Sequence, residues 1–527
     1  MVSQNTKNFL QKFQSYFISK PSEEESKIHV DYIASKVASF YEKIRNVVDY
    51  QEEHLLRQKA VERMLKRRLI IKREGKEIAK SLIYELIRAG HFPNNTIPER
   101  KIKDVDIIIS KYILSLNNLS SSLNKKSKEE LSDWLIGLAS CEIEEKLAPP
   151  LEDKYLAEYM YQIMKERILF KDGSNFDEKE RDVQLFIATQ KALLRADKTL
   201  ITYRLLKLYY PEWTNASEEL ILEIAQNLHS LKKALKKQFD HPLAPKLFKL
   251  CNRYNTPFLI LRDIILKYPK EIEENINNPE SLESFIEEAY QNRYQHSKAK
   301  LSRAAIYSTI SIFFTKMLLA LAIEIPLDVY IIHQFSYINS AASILFPPIL
   351  MFFIISTIRP PRVENAQKVI WEVMKIVYES KKKESYEVKL SKKRGWLSSG
   401  IIGLAYLITF VISFGALIWI LSKLSFSIIS QIIFIAFICL IGFTGAKIRQ
   451  HSKELSVEEE KESGLIFLMD FFFLPFVSVG KWLSGRLTKV NLIILLLTFV
   501  WETPFQIFVE FLENWSSFLK EKKEKIH

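Results

Sequence analysis

Four long apolar stretches, residues 304–323, 338–358, 401–421 and 426–446, limit what this chain can fold into more than any other feature. Each is 20 or 21 residues long. At ~1.5 Å per residue each makes ~30 Å of helix, the thickness of a bilayer's hydrocarbon core. All four fall within 143 residues and present almost no polar face to water. The sequence therefore predicts a multi-pass membrane protein.

Two further stretches are less regular. Residues 465–483 carry Asp470, Pro475 and Lys481, and 490–512 hold an uncharged, mostly apolar run of 12 residues, 490–501, before Glu502 and Pro504. Each reads as a span, a re-entrant segment or a surface-lying helix. The two enter or leave together, so the total is four or six, and six is the expectation.

Basic residues in the connections set the orientation, because loops rich in Lys and Arg stay on the cytoplasmic side. Residues 324–337 contain none, and Lys423 stands alone between the third and fourth spans. Residues 359–399 contain eleven, 447–463 four, and the tail four more at Lys520, Lys522, Lys523 and Lys525. Both termini are expected in the cytoplasm. Arg486 and Lys489 fit poorly, since they would lie outside if both irregular stretches cross. The first 25 residues show no apolar run followed by a cleavage site, so residues 1–300 are expected to remain cytoplasmic.

That first region reads as successive amphipathic helices. Ser22 with an acidic first turn opens a helix with Val30, Ile33, Val37, Phe40, Ile44 and Val47 at helical spacing, running to about Lys72. Others are expected at 76–89, 98–119, from a capping box at Ser127 and Glu130 to Pro149-Pro150, and at 151–170, 177–195, 198–209, 217–238, 244–253, 257–267 and 281–304. The last should continue into the first span. No alternating apolar and polar stretch long enough for a strand occurs, and Gly (13) and Pro (18) are too few for an all-β chain. The fold class is thus all-α: a cytoplasmic multi-helix region at 1–300, divisible near 149–175, then a polytopic membrane domain. Its parts are a first pair at 301–358, a basic connection at 359–399, a second pair at 400–446, a third pair at 464–512 and a basic tail at 513–527.

Within the connection, Ala366, Ile370, Val373 and Val377 form one stripe near Trp371. Such a helix either lies in the headgroup layer, with Lys368, Lys375, Lys381, Lys382 and Lys383 meeting anionic lipid, or is an ordinary helix packed on the soluble domain.

The chain has no glycine-rich phosphate loop, no H-E-x-x-H and no G-x-S-x-G, so it shows no local enzymatic signature, and no cofactor is expected. Its three cysteines, Cys141, Cys251 and Cys439, lie too far apart in sequence to form a C-x-x-C or zinc knuckle. A net charge of +13 allows nucleic acid or an anionic membrane as partner. The patch Arg63, Lys66, Arg67, Arg68, Lys72 and Arg73 is interleaved with aliphatic residues and lacks aromatics for base stacking, which favours the membrane. The sharper clue is charge in or beside the spans: Lys316, Glu324, Asp328, Asp470 and Glu502. Such groups cost roughly 2.5–3.5 kcal/mol at mid-depth and tend to face partners or water. Lys316 and Glu502 are a candidate pair.

Two functional classes follow as expectations. One is a membrane-anchored scaffold or adaptor whose helical region binds a protein partner. The other is a transporter or channel-like protein whose intramembrane charges line a path broken at Pro347-Pro348, Pro475 and Pro504. Lys, Ile and Asn usage points to a bacterial source with an AT-rich genome, and hence to the inner membrane.

Overall fold

The structure, a computed structural model, describes residues 2–18, 26–30, 53–71, 78–119, 124–170, 176–269, 271–333, 335–358, 364–378, 385–388, 396–452 and 464–489, with isolated helical positions at 511, 515 and 518. It is overwhelmingly helical and divides into two compact units. The helical unit comprises 4–255 and 382–388 with 493–527, and the span unit comprises 256–381 and 389–492 with 1–3. The division falls at 255/256. Residues 256–300 belong to the span unit because they pack on the helix that enters the first span. Arg293 grips Asp263 through two bonds of 2.7 and 2.9 Å, and Tyr268 packs on Phe285 at 4.7 Å.

In the helical unit, α1 (Gln4–Ile18) was not anticipated from the sequence. It lies along α6 (Leu151–Arg167), where Phe9 stacks on Tyr159 at 4.6 Å and Thr6 shares a 2.7 Å hydrogen bond with the Tyr159 hydroxyl. The helix expected from Ser22 is described only as α2 (Glu53–Ile71). Val30 does not belong to it: residues 26–30 are extended, held by Ile28 N–H to the Ile97 carbonyl at 2.9 Å and by the Asn94 amide, which bonds both backbone groups of Val30. Ile33, Val37, Phe40, Ile44 and Val47 lie outside the described residues.

The core forms where α2, α3 (Ile78–Arg88), α4 (Arg100–Asn117), α5 (Lys125–Leu147) and α8 (Lys198–Tyr209) bury Val61, Met64, Leu82, Ile83, Ile109, Leu138, Ile143 and Leu205 together. α5 starts three residues before the expected capping box. Asn124 accepts from the Ser127 N–H at 2.8 Å and so satisfies the free donor that defines the helix start. α7 (Glu178–Leu193), α9 (Glu218–Gln226), α10 (Leu228–Phe239) and α11 (Ala244–Arg253) complete this unit. It also holds one element the sequence did not suggest, a parallel pairing of β1 (Ile168–Phe170) with β2 (Tyr386–Val388) in register Ile168 to Tyr386. Three residues are too short to show alternation.

In the span unit, α12 (Asn255–Lys267) precedes α13 (Pro279–Leu319), a 41-residue helix capped by Asn278 that continues without a break into the first apolar stretch. With α14 (Tyr337–Ser356), α16 (Trp396–Lys423) and α17 (Ile428–Ser452), it supplies four helices long and apolar enough to cross a membrane. α14 stays helical through Pro347-Pro348, as does α18 (Gly464–Lys489) through Pro475, so neither is broken where the prolines fall. α18 also carries Arg486 and Lys489 within its length, where the sequence suggested a connection.

α17 lies at the centre, touching α13, α14, α16 and α18. Small residues allow this: Gly442 faces Phe473, Gly445 faces Ile354, and Gly480 lies against the backbone carbonyl of Cys439. Gly403 of α16 makes no such contact among the described residues, since nothing lies within 4 Å of where its side chain would begin.

Helix α15 (Glu364–Val377) buries Ala366, Val369, Val373, Ile376 and Val377 inside the span unit, with Asn365 donating to the Tyr290 hydroxyl at 3.0 Å. Of the expected stripe, Ala366, Val373 and Val377 are buried and Ile370 is half-buried, so packing takes up most of it. Lys368 and Trp371 (68% exposed) stay outside, Lys375 pairs with Glu372, and Lys381, Lys382 and Lys383 lie outside the described residues.

Candidate functional site

The charges expected in the first span are brought together by a change of helical pitch. After Leu319 the helix widens: the Ile325 N–H reaches the Ala320 carbonyl, five residues back, and the His333 N–H reaches that of Asp328. Pro326 gives the reason. It lacks an N–H and its ring would strike the carbonyl four residues back, and a wide turn relieves both problems. The helix thus continues to Ile332, closed by His333 at a left-handed φ of 55°, instead of ending at Ile323.

The wide turn also aligns side chains. Eight residues of regular helix would leave Lys316 and Glu324 about 80° apart around the axis, whereas one residue absorbed in a wide turn reduces the offset to about 20°. The Lys316 ammonium donates to Glu324 Oε2 at 2.6 Å, and Ser343 of α14 donates to Glu324 Oε1 at 2.9 Å. Phe437 of α17 offers its ring face to the same ammonium at 5.5 Å. Lys316 is 0% and Glu324 1% exposed.

Asp328, 5% exposed, is held separately. It accepts from the Ser427 hydroxyl at 2.5 Å and the Ser430 hydroxyl at 3.1 Å, while Ser427 Oγ accepts from the Ser430 N–H. The carboxylate therefore sits at the positive end of α17, where an anion is stabilised. Phe437 lies nine residues into α17, ~14 Å along it, so the cluster runs from mid-depth to one end of the bundle.

Of the other expected residues, Asp470 is not in this cluster. It is 49% exposed at its side chain and takes Arg449 on both oxygens at 3.1 and 3.0 Å. Arg449 lies 19 residues beyond Ser430, ~28 Å along α17, at the opposite end. Glu502 lies outside the described residues, and the Lys316 ammonium is satisfied by Glu324. The partner was visible in the sequence only as a neighbour eight residues away, a spacing that pairs nothing on a regular helix.

The basic patch on α2 is largely neutralised. Arg67 and Arg68 both clamp the Glu85 carboxylate of α3, and Lys66 meets Asp133 at 2.5 Å. Burial alone would raise the Glu85 carboxyl, but Arg68 and Arg67 overcome it and hold the group below its ordinary value. Arg63 also has a partner, and Lys72 and Arg73 lie outside the described residues.

Sequence reasoning missed a second buried constellation, in the helical unit. Lys111 donates to Glu142 at 2.5 Å and to the Trp213 carbonyl at 2.9 Å, Tyr112 donates to the other Glu142 oxygen at 2.9 Å, and the Trp213 indole donates to the Tyr112 hydroxyl at 3.2 Å. Burial pushes the Lys111 amine down while Glu142 pushes it up. Each side chain here has a partner, as a buried polar network must. Beside it opens a cleft of about 710 Å³ lined by Glu142, Glu145, Pro149, Phe186, Arg204 and Lys207 among others. Nothing in the spacing of these residues pointed to one another. Among the described residues no group of three or more His, Cys, Asp or Glu could hold a metal ion.

Fold and charge together define an all-α protein with four candidate membrane-spanning helices and a closed, buried ion pair in the first of them. Comparison with protein-family models, curated proteins and solved structures finds no match for this chain.

Proposed function

We propose that this chain is a membrane-anchored scaffold or adaptor, held in the inner membrane with both termini in the cytoplasm, whose helical unit binds a protein partner. The observation that carries this reading is the closure of the intramembrane charges: Lys316 and Glu324, at 0% and 1% exposure, satisfy each other and Ser343. A span unit whose ions are internally paired serves as an anchor without an open polar path. The surface available for binding lies in the helical unit, where Ile107 (59% exposed), Leu208 and Tyr209 present apolar area to solvent. The bias of basic residues supports the cytoplasmic orientation. α18, 26 residues long and packed along α17, supports a fifth crossing, and residues 490–512 would return the chain as a sixth. Exposed Lys368 suits contact with anionic headgroups.

The test is site-specific photocrosslinking in cells, with the crosslinker at Ile107 or Tyr209 and, as a control, at lipid-facing Ile402. A discrete protein adduct from the first two positions, lost when Leu208→Glu is added, is expected. Adducts only to lipid, or none, would overturn the adaptor reading.

A second reading, transport, is favoured by the wide turns around Glu324 and Asp328, because such turns recur at functional sites. Its mark would be water at mid-depth. Lys316→Cys labelled by a membrane-impermeant thiol reagent in intact cells would support transport, and an unreactive thiol would support the anchor.

A further inference from the structure

We infer that the 710 Å³ cleft of the helical unit is a binding site for a small organic anion, with a carboxylate or phosphate head seated on Arg204 and an apolar body against the cleft's apolar lining. The cleft's charges carry this. Each of its four carboxylates already has a cation: Asp104 has Lys146 at 3.3 Å, Glu145 has Lys207 at 2.8 Å, Glu142 has Lys111 at 2.5 Å, and Glu158 has Lys12 at 2.8 Å. Two lining cations are left over, Arg204 and Lys154. Arg204 makes no ion pair among the described residues, and its hydrogen-bond partner is the Gln190 side-chain oxygen. Glu145, Asp153 and Glu144 act on it only at longer range.

A largely buried guanidinium with donors to spare is costly unless something pairs with it. Its five N–H groups form a rigid fork that matches the two oxygens of a carboxylate or phosphate. Lys154, exposed at the mouth, adds a second positive charge. Pro149, Pro150, Leu151 and Phe186 supply an apolar wall beside these cations. A volume of 710 Å³ suits a small molecule, and a mixed wall of apolar surface with few convergent polar groups is what such sites present.

This site is independent of the adaptor reading, because purified protein reports it without any partner. Full-length protein in phosphatidylcholine nanodiscs would be titrated calorimetrically with phenyl phosphate, phenylacetate, benzyl alcohol and inorganic phosphate. Phenyl phosphate or phenylacetate should bind and benzyl alcohol should not. Arg204→Met should weaken the anion roughly 10- to 100-fold, as loss of a charge-assisted fork implies, with Arg204→Lys recovering part of it. Lys154→Met should cost only about 2- to 3-fold, as for one solvent-screened charge. Circular dichroism melts would verify that each variant is folded. Doping the discs with phosphatidic acid should leave the affinity unchanged, whereas competition would assign the site to a lipid headgroup and overturn a soluble ligand. Equal binding of benzyl alcohol, equal binding of inorganic phosphate, no heat from any probe, or unchanged affinity in folded Arg204→Met would each overturn the inference.

Discussion

Replacing Lys316 with methionine removes the cation that pairs with the Glu324 carboxylate and leaves that carboxylate in a packed apolar interior. At 2.6 Å the pair attracts with ~6 kcal/mol at an effective dielectric constant of about 20. Withdrawing each ion from water costs several kcal/mol, so the pair adds little net stability, yet each partner depends on the other. Lys316→Met should therefore destabilise the span unit by about 3–5 kcal/mol, and Glu324→Gln by a similar amount. The double variant should lose much less than the sum of the two single losses, because no uncompensated charge stays buried.

The assay is a double-mutant cycle on full-length protein, unfolded by titrating sodium dodecyl sulfate into mixed micelles and followed by tryptophan fluorescence. Strong non-additivity is the expected result. Additive losses, or single losses below about 1 kcal/mol, would mean that water or lipid headgroups reach these side chains, and the closed pair would be refuted.

Three other outcomes are expected. Glu85→Gln removes the carboxylate that Arg67 and Arg68 both clamp and should lower the stability of the helical unit by about 3 kcal/mol in a denaturant melt; its native contribution, present at neutral pH because the carboxyl is held low, should fade as the solution is acidified. Burial, only partly offset by Arg57, pushes the Glu144 carboxyl from 4.5 to about 6. A raised carboxyl favours the fold most when protonated, so stability from this group is full below about pH 4.5 and lost by about pH 6, and the parent should lose ~2 kcal/mol over that window relative to Glu144→Gln. Gly480→Val should separate α17 from α18, because a side chain there meets the Cys439 carbonyl, while Gly403→Val, in open space, should leave the detergent melt unchanged.

What could be read from sequence follows the length scale of the interaction. The four helices long and apolar enough to cross a membrane were legible because each is a property of about 20 consecutive residues, and composition alone marks it. The helical class of the first region was legible for the same reason. The extended segment at 26–30 was not, because the bonds holding Ile28 and Val30 come from Asn94, Asn95 and Ile97, some 65 residues away. The two three-residue strands were invisible for the same reason: their partners lie more than 200 positions apart. The Arg67–Arg68 cluster looked like a surface patch because Glu85 belongs to the next helix.

The intramembrane cluster sits between these cases. Its members were legible singly, since a lysine and two acids in or beside an apolar run stand out by cost alone. Their partnership was not, because it depends on phase. On a regular helix Lys316 would look for a partner three, four or seven residues on, and those positions hold Leu319, Ala320 and Ile323. Glu324 comes into reach only after a wide turn, and Pro326, two residues further on, supplies the reason for one. A proline closely following an acid that sits one residue out of phase with a buried lysine is therefore a sequence signal for a closed pair. The double-mutant cycle should respond to it: Pro326→Ala, which removes the need for the wide turn, should weaken the coupling between Lys316 and Glu324 without touching either side chain. If the coupling survives intact, the turn is imposed by packing against α14 and α17 and not by the proline.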